Sequence, residues 1–146
     1  MKRLAFLLAV AFLAASASAH AADTTVQMLN KEPGSKDRNV YSPELVQIEP
    51  GDTINWVATD RGHNVEFVRG AFPKGVKPFR SKIGKDVSYT FSKPGVYVYK
   101  CTPHYGMGMV GIIIVGDQSG RLKEIASKKY PGKAGKRIKA LLAPLI

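Results

Sequence analysis

Two short segments of the chain hold almost all of the side chains that could bind a transition metal. After residue 21 the sequence contains two histidines, one cysteine and three methionines, and five of these six residues lie in residues 60–64 and 99–111. The five are His63, Cys101, His104, Met107 and Met109. Because the second segment joins two predicted strands, its side chains can converge on one point. This clustering favours a metal site.

The donor atoms narrow the choice of metal. Thiolate and thioether sulfur are soft ligands and imidazole is intermediate, whereas Ca²⁺ and Mg²⁺ prefer oxygen. Structural zinc sites use cysteine and histidine, and a thioether ligand is unusual for them. Two histidines and one cysteine with a weak, distant methionine form the ligand set of electron-transfer copper sites. We therefore predict one copper ion per chain, bound by His63, Cys101, His104 and a methionine.

Two other functions fit part of the same segment. A cysteine and a histidine close together could be a nucleophile and its base, which would make Cys101 and His104 catalytic. Neither an oxyanion-hole glycine motif nor an orienting acid accompanies them in the sequence, so we expect no enzyme. The second alternative is a copper carrier that delivers the ion to other proteins. Such carriers use exposed, exchangeable clusters of methionine and histidine, which differ from a closed site of mixed ligands.

The hydrophobic pattern of residues 24–115 is that of short β-strands separated by turns. Ile54 and Trp56 alternate with polar residues, and residues 87–92 show the same period of two. Residues 110–115 are continuously apolar, as expected for a buried strand. Several short strands with regular turn signals predict an all-β sandwich, which we assign to residues 22–116.

Helical periodicity replaces the β pattern after Gly116. Leu122, Ile125 and Ala126 recur at helical spacing before a Pro-Gly pair interrupts. A second apolar stripe follows at three- and four-residue spacing. Its members are Ile138, Leu141, Leu142 and Leu145. Since isolated helices this short are marginal in water, we expect residues 117–146 to form two short α-helices packed on the sandwich.

The first 21 residues have the pattern of a cleavable secretory signal. Lys2 and Arg3 precede an apolar run that is too short to span a bilayer well, for which about 20 residues are needed. Small residues follow at the spacing that a signal peptidase reads. We therefore expect removal of residues 1–21 and export to the periplasm. An exported chain with a single cysteine cannot close an internal disulfide, and a bound metal would occupy the free thiol.

The exported chain is strongly basic. Removal of Lys2 and Arg3 lowers the formal net charge from +11 to +9. A charge of this size favours an acidic protein partner. The basic residues are dispersed and lack the interleaved aromatic side chains that stack on nucleic-acid bases. We expect a monomer that docks with acidic proteins and binds neither nucleic acid nor membranes.

The residues around the predicted ligands resemble those of pseudoazurins, a group within the cupredoxin superfamily. The resemblance rests on the run from Cys101 to Met109, on the Gly-His-Asn triplet around His63 and on the two C-terminal helices. It implies a Greek-key, cupredoxin-like β-sandwich with a blue-copper site in which His63, Cys101 and His104 form a trigonal plane. It also implies that Met109 is the distant axial ligand and that the Asn64 N–H points at the Cys101 sulfur. Electrons would pass through the edge of His104.

Met107 is a second candidate for the thioether ligand. Amicyanins, another cupredoxin group, have a shorter spacing between cysteine and methionine that would select Met107. The C-terminal helices and the tyrosine before the Met-Gly-Met string favour Met109. The sequence departs from common pseudoazurins at Gly106 and in a longer, more charged stretch over residues 32–39.

The resemblance also implies a docking face. Pseudoazurins carry a basic ring around an apolar patch, and this chain has comparable residues at or beside those positions. They are Lys31, Arg61, Arg80 and Lys100 in the ring, with Gly62, Pro103 and Met107 in the patch. A charged rim speeds encounter while the complex stays weak and brief. The expected function is a periplasmic one-electron carrier that donates to an acidic respiratory reductase, such as copper nitrite reductase in denitrification.

Overall fold

The computed structural model describes residues 21–146, which form a sandwich of two four-stranded sheets followed by two helices. The strands are β1 (Asp23–Lys31), β2 (Arg38–Ser42), β3 (Leu45–Ile48), β4 (Thr53–Val57), β5 (Glu66–Phe67), β6 (Val87–Thr90), β7 (Gly95–Lys100) and β8 (Val110–Val115). The helices are α1 (Ser119–Ser127) and α2 (Ala134–Leu142), and short 3₁₀ turns lie at Tyr105–Met107 and Ala143–Leu145. The signal predicted for residues 1–21 falls outside the described residues, apart from residue 21.

One sheet has the strand order β2-β1-β4-β6 and the other has the order β3-β8-β7-β5. The chain crosses from one sheet to the other at each of the five connections between β2 and β7. Two neighbouring pairs, β1 with β4 and β3 with β8, are parallel, while the remaining pairs are antiparallel. The predicted all-β sandwich with two C-terminal helices is confirmed.

Alternation along the strands places one layer of side chains between the sheets. Val26 and Met28 of β1 and Ile54 and Trp56 of β4 are fully buried in this layer. Tyr99 of the opposite sheet packs edge-on against Trp56, with ring centroids 5.2 Å apart. Full burial of one large apolar side chain contributes about 1.5–3 kcal/mol, so this layer provides much of the force that holds the sheets together.

The strand β8 is buried at all six positions because both of its faces are covered. Ile113 and Val115 belong to the layer between the sheets, whereas Ile112 and Ile114 pack with the helices. The helices contribute buried residues to this second cluster. These are Leu122, Ile125, Ala126, Ala134, Ile138 and Leu142. Neither α1 nor α2, nor any other helix in residues 21–146, is long and apolar enough to cross a membrane.

An ion cluster fixes α2 to the segments that lead into β2 and β3. The Arg137 guanidinium donates to both carboxylate oxygens of Glu44, with its Nε at 2.8 and 3.0 Å. Its terminal nitrogen also lies 3.2 Å from the carboxylate of Asp37. Burial raises the pKa of the Glu44 carboxyl, and the Arg137 charge opposes this rise. The Glu44 side chain is only 16% exposed, so its negative charge depends on the guanidinium.

The substitution Arg137→Met should destabilise the fold by leaving the Glu44 carboxylate without a partner. We expect the free energy of unfolding at neutral pH to fall by about 1–3 kcal/mol. The folded-state pKa of Glu44 should rise further in the variant, so the deficit should shrink as the pH falls towards the ordinary carboxyl range of about 4. Urea denaturation at several pH values measures both effects.

The matched control is Arg121→Met on α1, which removes an exposed arginine that pairs with Glu124 at 3.1 Å. Exposed pairs contribute about 0–1 kcal/mol, so this variant should stay close to the wild-type protein. Equal losses of stability in the two variants would contradict the assigned role of Arg137.

Candidate metal centre

The structure brings three predicted donor atoms together at one end of the sandwich. The Cys101 sulfur lies 3.7 Å from Nδ1 of His63 and 3.4 Å from Nδ1 of His104. The two Nδ1 atoms are 3.2 Å apart. These three residues are the metal-binding group of histidine, cysteine and acidic side chains found among residues 21–146. His63 and Cys101 are fully buried, while His104 is half-buried.

The triangle of donor atoms fits a transition-metal ion. A point in its plane lies about 2 Å from all three atoms, and metal–imidazole bonds are about 2.0–2.1 Å long. The donor set of two imidazoles and one thiolate matches the trigonal plane of electron-transfer copper sites. The donor atoms of His63, Cys101 and His104 therefore already have the spacing that a bound transition-metal ion requires.

Each donor is positioned by a different local structure. Gly62 adopts a left-handed φ of +91°, which lets the loop after β4 turn His63 inward. Cys101 follows directly after β7, and His104 closes a tight turn in which its N–H donates to the Cys101 carbonyl at 3.2 Å. The N–H of Cys101 then donates to the carbonyl of Met109 at 3.1 Å, which closes the loop.

Asn30 sets the tautomer of His63. The Asn30 side-chain oxygen lies 2.8 Å from Nε2 of His63 and accepts its hydrogen, since an amide oxygen can only accept. Nδ1 of the neutral ring then carries a lone pair that faces the other two donors. Burial lowers the pKa of His63, and the nearby His104 lowers it further, so the neutral ring is favoured.

The loop that carries His63 is anchored to the strand that carries Asn30. The N–H of Asn30 donates to the carboxylate of Asp60 at 2.6 Å, and the N–H of Asp60 donates to the carbonyl of Met28 at 3.0 Å. Sequence reasoning missed Asn30 because it lies 33 positions from His63. Only the placement of β1 beside this loop reveals the contact.

Asn64 supports the cysteine from the other side. Its side-chain oxygen accepts from the N–H of Thr102 at 2.8 Å, and its amide donates to the Thr102 hydroxyl at 3.0 Å. The Tyr41 hydroxyl donates to the Asn64 carbonyl at 2.6 Å. Burial raises the pKa of the Cys101 thiol, while backbone N–H groups of Asn64 and His104 that point at the sulfur lower it. The contact between the Asn64 N–H and the sulfur agrees with the role that the resemblance implies.

The two candidate methionines differ sharply in their surroundings. Met109 is fully buried in the same apolar cluster as Cys101, and its N–H donates to the carbonyl of His104 at 3.2 Å. Met107 lies in the 3₁₀ turn and is 56% exposed. The structure thus places Met109 in the interior beside Cys101 and Met107 at the surface.

The predicted docking residues are not equally available. Lys31, Arg61, Arg80, Pro103 and Met107 are exposed. Lys100 is only 21% exposed at its side chain, and its ammonium lies over the Tyr105 ring at 4.8 Å.

Glu66 explains why the charges of two docking residues are partly compensated. Its carboxylate lies 3.6 Å from the ammonium of Lys100 and 3.7 Å from the guanidinium of Arg80. Glu66 also accepts a hydrogen bond from the Thr102 hydroxyl at 2.7 Å. The pairing of β5 with β7 sets Glu66 opposite Lys100, a contact that the sequence pattern alone does not show.

Comparisons with known proteins agree with this site. The family model of copper-binding proteins of the plastocyanin/azurin family matches residues 26–116. A pseudoazurin of Paracoccus pantotrophus is 47% identical over 135 residues, which cover 92% of each chain. The crystal structure of a pseudoazurin from Methylobacterium extorquens AM1 is 39% identical, with a TM-score of 0.78, and the match covers 85% of this chain and 99% of that one. A native pseudoazurin from Hyphomicrobium denitrificans is 40% identical, also with a TM-score of 0.78, over 85% of this chain and 98% of that one.

The fold and the three gathered donor atoms define a cupredoxin, a small copper-binding protein built on a β-sandwich. The chain belongs to the copper-binding plastocyanin/azurin family and, within it, to the pseudoazurins. It is therefore a blue-copper electron carrier and not an enzyme, as predicted, and copper is its cofactor.

Removal of the acceptor on Asn30 should weaken copper binding. The variant Asn30→Ala leaves the Nε2–H of His63 without a partner and frees the other tautomer. Loss of such a supporting hydrogen bond lowers metal affinity by about 10–100-fold. Competition of the protein with a Cu(I) chelator measures the change.

The variant Asn30→Asp keeps an acceptor oxygen at the same place and is the matched control. We expect its Cu(I) affinity to stay within about threefold of the wild-type value, since the ring keeps its partner. If Asn30→Ala and Asn30→Asp bind Cu(I) equally well, Asn30 does not orient His63.

Proposed function

We propose that His63, Cys101, His104 and Met109 hold one copper ion and that the protein carries single electrons in the periplasm to an acidic reductase. A copper nitrite reductase is the acceptor that the resemblance favours. The observation that carries the proposal is the triangle of donor atoms, since three side chains from two distant segments meet around one point. Residues 22–116 would form the copper domain, and residues 117–146 its helical cover.

The bound copper would supply a Cu(I)/Cu(II) couple. His63, Cys101 and His104 would hold the ion, and Met109 would supply a weaker fourth ligand through its thioether sulfur. The burial of Met109 beside Cys101 supports this choice over the exposed Met107.

The surroundings of the ligands favour fast electron transfer. The backbone bonds that close residues 101–109 hold Cys101, His104 and Met109 in fixed relative positions. The N–H groups that point at the Cys101 sulfur stabilise a thiolate there. A ligand set held rigidly by the protein needs little rearrangement between oxidation states, so the barrier to electron transfer stays low.

The route for electrons would pass through His104. His63 and Cys101 are fully buried, whereas His104 is half-buried between the exposed Pro103 and the exposed turn that carries Met107. A partner docked on this face would approach the metal most closely along the His104 ring.

A role in copper delivery is the alternative function. Delivery requires ligands that exchange readily with a recipient. Two of the proposed ligands, His63 and Cys101, are fully buried, and Asn30 and Asn64 hold them in place. Because buried ligands exchange slowly, this burial supports retention of the ion. It therefore favours electron transfer over copper delivery as the function.

The oxidised, copper-loaded protein should absorb strongly in the orange-red through charge transfer from the Cys101 thiolate. The variant Met109→Gln should lower the reduction potential, because oxygen disfavours Cu(I) relative to thioether sulfur. We expect a shift of about 59 mV or more, which is a tenfold change in the ratio of Cu(I) to Cu(II) affinity.

The variant Met107→Gln serves as the matched control and should leave the spectrum and the potential within error of the wild-type values. Spectroelectrochemical titration measures both quantities. A shift in Met107→Gln instead of Met109→Gln would exchange the two assignments, and a colourless oxidised copper form would favour delivery.

Electron transfer to a copper nitrite reductase should slow as salt is added. The Debye length falls from about 30 Å at 0.01 M to about 8 Å at 0.15 M ionic strength, which screens the attraction between a basic rim and an acidic partner. We expect the second-order rate constant to fall about tenfold or more over this range. Stopped-flow mixing of the reduced carrier with the oxidised reductase gives the rate.

An uncharged small oxidant provides the control for this measurement, since its reaction with the same protein has no charge–charge attraction to screen. Its rate should change little with salt. A rate with the reductase that is equally insensitive to salt would contradict docking through complementary charge.

A further inference from the structure

A groove lies between the turn that joins β1 to β2 and the helix α2, directly beside the metal-ligand loop. Its volume is about 790 Å³. Four basic side chains line it in addition to Arg137, and we call it the basic groove. They are Lys36, Arg38, Lys133 and Lys136. Val40, Met107 and Ala140 contribute apolar surface, so the groove combines cationic walls with an apolar floor.

The four cations of the basic groove are free to bind a ligand. All four are exposed, and none of them has an ion-pair partner among residues 21–146. The only acidic side chain that lines the groove is Asp37, which pairs with Arg137 at 3.2 Å. Arg137 in turn is shared between Asp37 and Glu44. The side chains that line the groove, five cations and one carboxylate, therefore carry a net charge of +4, which falls to +3 when Glu44 is counted with them.

Two basic residues of the predicted docking ring differ from the groove cations, because they have an ion-pair partner. Arg80 and Lys100 share the carboxylate of Glu66, and Lys100 is largely covered. The charges of Arg80 and Lys100 are thus partly compensated, whereas those of the four groove cations are not. This asymmetry follows from the ion pairs and not from the number of basic residues.

The groove is continuous with the loop that carries His104. Met107 and Gly108 form its end. The N–H of Lys133 donates to the carbonyl of Gly106 at 2.9 Å, which holds the start of α2 against the loop. Gly132 has a φ of +54°, and a Cβ at this position would collide with the Gly106 carbonyl. A chain bound along the whole groove would therefore reach Met107 and Gly108 of the metal-ligand loop.

We infer that the basic groove binds an extended acidic segment of a partner protein, with carboxylates on the cationic walls and an apolar side chain on the floor. The inference rests on the proposed function, because it names the surface by which an acidic redox partner is held. Two observations select this occupant: the complementary charge of the groove, and its continuity with Met107 on the docking face. The segment would place its protein over His104 from the side of α2.

Binding of octaglutamate to the ¹⁵N-labelled, Cu(I)-loaded protein tests the inference without any reductase. At low ionic strength the peptide should shift the amide resonances of residues 36–40, 107–108 and 133–140. The double variant Lys36→Gln/Lys136→Gln should weaken binding about tenfold, which corresponds to about 1.4 kcal/mol. The thermal midpoint of the variant, measured alongside, shows that it remains folded.

The matched control is Lys74→Gln/Lys123→Gln, which removes the same charge from two exposed lysines outside the groove. Lys74 lies near the first residue of β7, because the adjacent Pro73 packs against Gly95. The last residue of β7, Lys100, leads into the metal-ligand loop at the other end of the strand. We expect less than a twofold change in affinity for this variant. Equal weakening in both double variants, or resonance shifts centred on Arg61, Arg80 and Lys100, would overturn the inference.

The same proteins separate this inference from the proposed function. If octaglutamate binds in the groove but nitrite reductase accepts no electrons, the inference about the groove is supported and the proposed electron acceptor is wrong. The opposite result is that octaglutamate does not bind in the groove and that the Lys36→Gln/Lys136→Gln variant reduces nitrite reductase at the wild-type rate. In that case the proposed electron acceptor is supported and the inference about the groove is wrong.

Discussion

The structure depends on one buried sulfur atom. Cys101 lies in the interior of the sandwich, where burial raises the pKa of its thiol and opposes the charged form. Backbone N–H groups of Asn64 and His104 point at it and offset part of that opposition, while Nδ1 atoms of His63 and His104 lie 3.7 and 3.4 Å from the sulfur. A metal ion at the centre of these groups removes the remaining penalty, because a thiolate that ligates a cation is no longer an isolated buried charge.

The groups around the sulfur come from both sheets of the sandwich. β1 supplies Asn30, which sets the tautomer of His63, and β7 leads directly into Cys101. β5 and β7 pair so that Glu66 reaches the hydroxyl of Thr102, next to Cys101. The site therefore forms only when the two sheets close on each other. The apolar layer around Trp56 supplies the force for that closure, so stability of the core and geometry of the ligands are linked.

The helices complete the same arrangement on the outer face. They cover β7 and β8, which would otherwise expose an apolar surface, and α2 is fixed to the ligand loop through Gly106. Arg137 joins α2 to Glu44, the residue directly before β3. One consequence is the basic groove, whose walls are held in position by contacts that also position the ligand loop.

Much of this could be predicted from local patterns. The period of two in residues 53–58 and the helical stripes after Gly116 predicted the sandwich and its helices, because each pattern depends only on neighbouring residues. The donors His63, Cys101 and His104 were recognised by type and clustering, which also need no knowledge of the fold.

The supporting contacts could not be predicted in this way. Asn30 meets His63 across 33 positions, and Arg137 meets Glu44 across 93. Such pairs depend on the register and packing of distant strands. For the same reason, the sequence suggested Lys100 as a free docking charge, whereas the pairing of β5 with β7 places Glu66 against it.

X-ray absorption at the copper edge of the loaded protein, oxidised and then reduced, measures whether the ligands stay in place around the ion. We expect one short sulfur and two nitrogen neighbours in both states, with bond lengths that change by less than about 0.2 Å. Loss of a nitrogen ligand on reduction, or a copper ion without a short sulfur neighbour, would contradict a site that the protein holds in place around the Cys101 sulfur.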